Sequence, residues 1–281
     1  MQMKFVSYEY THGPRFGAVV DDAIIDLSDA GPSLRAVLAT GPLGNLQAVA
    51  AQRKPTVALN HVVLLQVIPD AGRILCVGKN YYDHAIEMGG PPPENPNIFM
   101  RTVQSLVGHR HSIVCPSASQ QYDYEGELAV IIGKGGRRIP AERALAHVAG
   151  YTCFLDGSVR DFQKHSFTAG KNFDSSGACG PWLVPASEVP DPQNLELTTR
   201  INGEVVQQSN TARMMRGVAE IIAYLSAFTH LEPGDVIATG TPAGVGAART
   251  PPKWLKAGDT VEVEIERIGV LVNTVIAEPS V

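Results

Sequence analysis

Tyr124-Glu125-Gly126-Glu127-Leu128-Ala129-Val130-Ile131-Ile132 sets two carboxylates two residues apart at the mouth of an apolar run. The run reads as a buried strand. Side chains on a strand alternate between faces, so Glu125 and Glu127 point the same way. Two like charges held close at the entrance to a core raise each other's pKa and destabilise the fold unless a cation lies between them. A divalent metal resolves that conflict. An exposed strand end carrying two solvated glutamates is the alternative reading of the same stretch.

Outward from this strand the chain is rich in further strand-like runs. They fall at Ile74 to Val77, Gly150 to Leu155, Leu197 to Ile201, Val236 to Thr239 and Thr260 to Glu266, the last in strict alternation. Asn202-Gly203 between two such runs is a two-residue hairpin signal. Helices are fewer. Ala141 to Val148 follows Pro140, with Gly150 expected to close it, and Val218, Ile221, Ile222, Leu225 and Phe228 form an amphipathic stripe ended before Pro233-Gly234-Asp235. Short alternating runs at Lys4 to Tyr8, Phe16 to Val20 and Ala23 to Leu27, then a helix-like Ser33 to Thr40, suggest a small β-rich N-terminal domain over residues 1–70. A linker near Pro69-Asp70-Ala71-Gly72 then leads into a larger domain over residues 71–281. Strands that are not interleaved with regular helices predict an α+β fold with a largely antiparallel sheet system.

Composition narrows the function. The 281 residues are 44% hydrophobic and 18% charged, with a formal net charge of -5, so the chain offers no electrostatic footprint for nucleic acid. There is no apolar run of the roughly 18 residues a membrane span needs and no export-like start, which predicts a cytoplasmic protein. Cys76, Cys115, Cys153 and Cys179 are far apart, without a C-x-x-C pair, and read as reduced, packed thiols. Only Cys179, in the glycine-rich Ser176 to Gly180, has a setting in which a nucleophile could be placed. Gly133-Lys134-Gly135-Gly136 lacks the spacing of a nucleotide loop. Thr239-Gly240-Thr241-Pro242-Ala243-Gly244-Val245-Gly246 follows a strand and could bring backbone close to a ligand, or be a tight turn.

Two further groups of residues carry chemistry. Asp156 ends the run Tyr151 to Leu155 and is the best third ligand for a metal on Glu125 and Glu127, unless it caps a turn toward Ser158. Three carboxylates without His or Cys favour magnesium or manganese, with calcium less well suited. In Asn80-Tyr81-Tyr82-Asp83-His84-Ala85-Ile86-Glu87, His84 and Glu87 stand at i and i+3. On a helix they are neighbours, and the carboxylate can fix the imidazole tautomer as a general base requires, although surface pairs of this kind also occur without a role. The Gly89 to Asn97 loop beyond them suits a lid or a plain surface loop.

Six motifs in order, N-Y-x-x-H-A-x-E-M-G (Asn80 to Gly89), D-Y-E-G-E-L-A-V-I-I-G-K (Asp123 to Lys134), G-Y-T-x-x-x-D-x-S-x-R-D-x-Q (Gly150 to Gln163), G-K-x-F-D (Gly170 to Asp174), G-P-W-L-V (Gly180 to Val184) and T-G-T-P-A-G-V-G (Thr239 to Gly246), resemble the fumarylacetoacetate hydrolase family over about residues 72–276. The resemblance implies a mixed β-roll catalytic domain, a homodimer, and magnesium or manganese on Glu125, Glu127 and Asp156. It implies His84 and Glu87 as the water-activating pair and Lys171 as the catalytic lysine, which can stabilise an oxyanion or pair with a substrate carboxylate. Gln207, Thr241 and Tyr82 are implied as substrate contacts. Two departures stand out: Leu155 precedes the metal aspartate where many relatives have Asn, and Arg101 replaces a lysine, suggesting a bidentate clamp on a substrate carboxylate. Arg213 and Arg216 suit an acidic substrate tail, or are solvated surface arginines.

The expected activity is metal-dependent hydrolysis of a carbon-carbon bond in an acylpyruvate, a 2,4-dioxo acid, giving pyruvate and a carboxylic acid. Decarboxylation of oxaloacetate or isomerisation of an unsaturated oxo acid is the alternative with the same enolate chemistry. A non-catalytic oxo-acid binding protein is the alternative of another class.

Overall fold

The computed structural model describes residues 3–11 and 13–279. Its centre is the strand Gly126–Ile132, every residue of which is buried. Alternation sends its side chains to two different cores. Leu128, Val130 and Ile132 pack with Leu197, Val263 and Leu271, whereas Ala129 and Ile131 pack with Phe5, Leu27 and Leu34. That is why the stretch is apolar without a break: neither face meets water. Each such aliphatic side chain contributes about 1.5–3 kcal/mol on full burial.

Gly126–Ile132 lies inside a 12-stranded sheet, between Val148–Leu155 and Val236–Ala238. Ile74–Gly78 and Asn97–Arg101 continue the sheet on one side, and Gly177–Pro185 and the N-terminal strands continue it on the other. A five-stranded sheet runs in the order Glu204–Asn210, Glu196–Ile201, Thr260–Ile265, Gly269–Ala277, Ser112–Cys115 and covers one face. The pairing is mainly antiparallel. Parallel pairs join Val236–Ala238 to Ile74–Gly78, Gly177–Pro185 to Leu106–Val107, and Gly269–Ala277 to Ser112–Cys115. The architecture is a sheet-dominated α+β fold with few helices and, among the described residues, no closed barrel.

The N-terminal strands Lys4–Tyr10, Gly13–Val20 and Ala23–Asp26 form as the alternation predicts, and Ser33 caps helix Leu34–Thr40 by accepting from Ala36 N–H. They are not walled off at residue 70: Phe5 pairs with Leu183, so these strands extend the large sheet, and their apolar faces share a core with Phe154 and Leu183. The Asn202-Gly203 turn has both residues in the left-handed region (φ 52° and 80°), as a two-residue hairpin requires.

Two expectations need correcting. The helix after Pro140 spans only Ala141–Ala144 and passes through a 3-10 turn into strand Val148–Leu155, so Gly150 does not close it. Gly150 is instead a point of close strand approach, where a Cβ would lie 2.1 Å from the Val184 carbonyl oxygen. In helix Val218–Phe228 the buried stripe is Val218, Ile221, Ile222 and Leu225, while Phe228 is 55% exposed and packs edge-on against Tyr224.

Candidate active site

Register brings the three carboxylates together. Gly126 pairs with Leu155, so Glu125 and Asp156 leave adjacent strands side by side, linked by Asp156 N–H donating to the Glu125 carbonyl at 2.9 Å. Glu127 lies on the same face as Glu125. One oxygen from each of Glu125, Glu127 and Asp156 lies within 4.8 Å of the others, and all three residues are buried. Gly126 between the glutamates is required sterically, because a Cβ there would lie 2.1 Å from Thr199 Oγ1 of the second sheet.

Cations surround this anionic cluster. Lys171 Nζ donates to Glu125 Oε2 at 2.6 Å, Asp156 Oδ2 at 2.5 Å and Ser158 Oγ at 2.6 Å. Arg160 donates to Glu125 Oε1 and Asp123 Oδ2, and Arg101 to Asp156 Oδ1. Burial works against charge on Glu125, but Lys171 and Arg160 outweigh it and hold its carboxyl below the usual range. Glu127 is the opposite case: burial, then Asp156 and Glu125, push its carboxyl well above that range. The hydrogen bond it receives, from Gly240 N–H at 2.8 Å, does not offset this. Burial likewise opposes charge on Lys171, and Asp156 and Glu125 reverse the effect and raise its pKa.

His84 and Glu87 stand on the short helix Tyr82–Glu87, where His84 Nδ1 and Glu87 Oε1 are 2.8 Å apart. The other Glu87 oxygen accepts from Gly244 N–H at 2.9 Å. The Thr239 to Gly246 loop therefore orients carboxylates through its amides: Gly240 for Glu127, Gly244 for Glu87, and Gly246 for Asp123. Glycine is needed at Gly240 and Gly244, with φ of 100° and 109°. A Cβ would lie 2.7 Å from Asn80 Cβ at the first and 2.3 Å from Val206 O at the second.

A cavity of about 390 Å³ unites His84, Glu125, Glu127, Asp156, Lys171 and Thr241. Other expected site residues stand elsewhere. Arg101 is fully buried behind the carboxylates, with its guanidinium bound to Asp156, Gly157 O, Ser105 and Ser176, so it clamps a carboxylate of the protein itself and does not reach a substrate. Tyr82 is 56% exposed and lines a separate surface recess. Gln207 supports the site from behind: it accepts from Gly126 N–H and donates to Thr241 Oγ1 and Pro242 O. Arg213 pairs with Asp83 at the surface, and Arg216 donates to Glu94 O in the loop after His84, so neither lines the cavity. The cysteines are free, and burial pushes the Cys179 thiol up to about 12, which removes it as a nucleophile.

Residues that sequence reasoning gave no role include Arg160 and Gln163, both within a quoted motif, and the cavity-lining Lys79 and Lys164. Their spacing carries no mark of a site, and a lone Lys or Arg reads as surface charge until the fold turns it inward.

The donor set fits a hard divalent cation. Three buried carboxylates converge with no nitrogen or sulfur donor among them, and Glu127 faces two like charges that a cation would neutralise. Fold and site together define an enzyme class built on an acidic triad for a divalent metal beside a His–Glu pair. Residues 73–276 match the family model for the fumarylacetoacetate (FAA) hydrolase C-terminal domain, and the chain belongs to that family.

Among its relatives is the mitochondrial oxaloacetate tautomerase FAHD2A of Bos taurus, 39% identical over 98% of this chain and 92% of its own length. Two solved structures share the fold closely. A fumarylacetoacetate hydrolase from Exiguobacterium antarcticum has a TM-score of 0.82 and 37% identity, covering 98% of this chain and 100% of its own. A maleylpyruvate hydrolase from Sphingobium sp. SYK-6, in complex with manganese(II) and pyruvate, has a TM-score of 0.83 and 27% identity over 98% and 100%. Among the described residues no helix is long and apolar enough to cross a membrane. The bovine relative's mitochondrial name differs from the cytoplasmic placement expected for this chain.

Proposed function

We propose that this protein moves a proton at the carbon next to the oxo group of a 2-oxo acid of the oxaloacetate class, interconverting its enol and keto forms. The observation that carries the proposal is His84, oriented by Glu87, which lines the same cavity as the three carboxylates. A relative named as an oxaloacetate tautomerase, matched over 92% of its length, supports the choice of reaction.

A magnesium or manganese ion on Glu125, Glu127 and Asp156 would supply Lewis-acid polarisation of the oxo group. The chain's own residues supply the rest. Glu87 accepts from His84 Nδ1 and so leaves Nε2 as the nitrogen that takes up or delivers the proton. His84 takes the proton from the enol hydroxyl and returns one to C3, so the sum of atoms and charge is unchanged. Lys171 places a fixed positive charge beside the oxygen on which negative charge develops. Thr241, steadied by Gln207, borders the space where the acid lies.

Hydrolysis of acylpyruvates is the second reading, favoured by the same Nε2, which can accept a proton from water, and by the maleylpyruvate hydrolase with its bound pyruvate. Here Lys171 would stabilise the tetrahedral oxyanion. Ultraviolet decay of enol-oxaloacetate, monitored with magnesium- or manganese-loaded protein, tests the first reading, and no acceleration would reject it. Pyruvate release from a panel of acylpyruvates tests the second, and carbon dioxide release from oxaloacetate would reveal decarboxylation. The proposal includes a homodimer, which a monomer mass by light scattering would remove.

A further inference from the structure

The cavity holds more positive charge than its carboxylates use. Lys171 and Arg160 pair with Glu125, Asp156 and Asp123 at the triad, so neither is left to bind a second substrate carboxylate. Lys79 and Lys164 also line the cavity, and neither ammonium meets a carboxylate among the described residues. Lys164 is exposed, whereas Lys79 is partly buried.

Lys79 is also held in an uncommon backbone state. Its φ is 54°, in the left-handed region that a residue with a Cβ ordinarily avoids at a cost of about 1–2 kcal/mol. The surroundings enforce it. Next along the chain, Asn80 donates through its side chain to Arg216 O and Thr239 O and accepts from Arg216 N–H, which fixes the segment after strand Ile74–Gly78. Lys79 lines the cavity, and its Nζ lies near the loop after helix Tyr82–Glu87: a Cβ on Gly90 would be 3.7 Å from it. A lysine held in a strained conformation, partly desolvated and without an internal counter-charge has the features of a group kept for an anionic ligand.

We propose that Lys79 determines specificity by binding the second carboxylate of the substrate, so that the site selects 2-oxo dicarboxylic acids over monocarboxylic ones. This rests on the reading of the cavity as a 2-oxo acid site. With a divalent cation held by Glu125, Glu127 and Asp156, the head group of the acid would lie at the triad and its far carboxylate would turn toward Lys79 along the cavity wall.

Calorimetric titration of the manganese-loaded protein with unreactive 2-hydroxy acids tests this without turnover. Malate and 2-hydroxybutyrate have the same carbon count and differ by a carboxylate in place of a methyl group. Wild type should prefer malate by about 10- to 100-fold, the range of one charge-assisted hydrogen bond. Lys79→Asn removes the charge with a residue that tolerates the left-handed backbone, and Lys79→Gln keeps more of the side chain. Either should abolish the preference and leave 2-hydroxybutyrate binding unchanged, while Lys79→Arg should retain it. Oxalate, which offers only the head group, separates the two levels of the argument. Saturable oxalate binding with a malate preference absent from wild type, surviving in Lys79→Asn or Lys79→Gln, or lost only in Lys164→Met overturns the Lys79 assignment alone. Absence of oxalate binding overturns the 2-oxo acid reading with it.

Discussion

At the scale of single residues, the site separates groups that look alike in sequence. Glu125 and Glu127 share a face, yet Lys171 and Arg160 hold Glu125 charged while burial and like charges push Glu127 toward its protonated form. Glu127→Gln should therefore leave the fold intact while lowering manganese affinity by at least about 100-fold, more than the loss of an outer hydrogen-bond partner. Calorimetry checks this, and unchanged affinity would remove Glu127 from the metal site. His84→Ala should cut kcat by roughly 10²- to 10⁴-fold, the usual contribution of a positioned base, with metal affinity retained. Arg101 grips Asp156 with no face toward the cavity. Arg101→Lys keeps the charge and loses the fork, so metal affinity should fall while discrimination between substrates stays the same. A changed substrate preference would return Arg101 to the substrate side.

At the scale of elements, the glycine loop Thr239 to Gly246 works as a scaffold. Its amides hold Glu127, Glu87 and Asp123, so a loop that reads as a tight turn is part of the site through its backbone alone. Gly244→Ala forces a Cβ against Val206 O and displaces the N–H that orients Glu87. It should destabilise the protein by about 1–3 kcal/mol and lower kcat with little loss of metal affinity. Gly258→Ala is the comparison: φ is also positive, at 95°, but open space surrounds it, so stability should fall modestly and kcat should hold. Equal kcat losses in the two variants would show that strain, and not the Glu87 contact, accounts for the effect. The elements themselves were largely legible. Strict alternation marked Thr260–Ile265, and Asn202-Gly203 marked its hairpin, because period and turn chemistry are local properties. The short helix at Ala141–Ala144 was not, because the residues from Val148 onward belong to a strand whose glycine is set by a distant carbonyl.

At the scale of the whole molecule, metal binding and folding are linked. A cation that binds only the native triad adds about 2.7 kcal/mol at a concentration 100 times its Kd, a Tm rise of about 5 °C for a chain of this size. Scanning calorimetry with and without manganese checks this, and an unchanged Tm would count against the triad as a native site. His109 sets a separate pH dependence. Burial first, then Arg110, lowers its pKa to about 4, and its Nδ1 accepts from Val272 N–H, which requires the neutral ring. Unfolded, it binds a proton below about 6.5. The unfolded state thus holds more protons between these values, so stability is full above pH 6.5 and declines as pH falls toward 4, by on the order of 3 kcal/mol. His109→Asn should flatten urea-denaturation stability across that window, and an unaltered slope would assign the dependence elsewhere.

The strands, the acidic pair with its partner Asp156, and the His84–Glu87 pair were all written in the order of the residues. Each depends on spacing along one segment or on a motif within it. Which charges meet was settled by folding in three dimensions. It turned Arg101 onto Asp156, brought Arg160 to Glu125, placed Gln207 behind Thr241, left Tyr82 in solvent and set Lys79 in the cavity lining. A side chain's period says which face it takes, but its partner comes from a strand or loop far away in the chain, and only register and packing bring the two within reach.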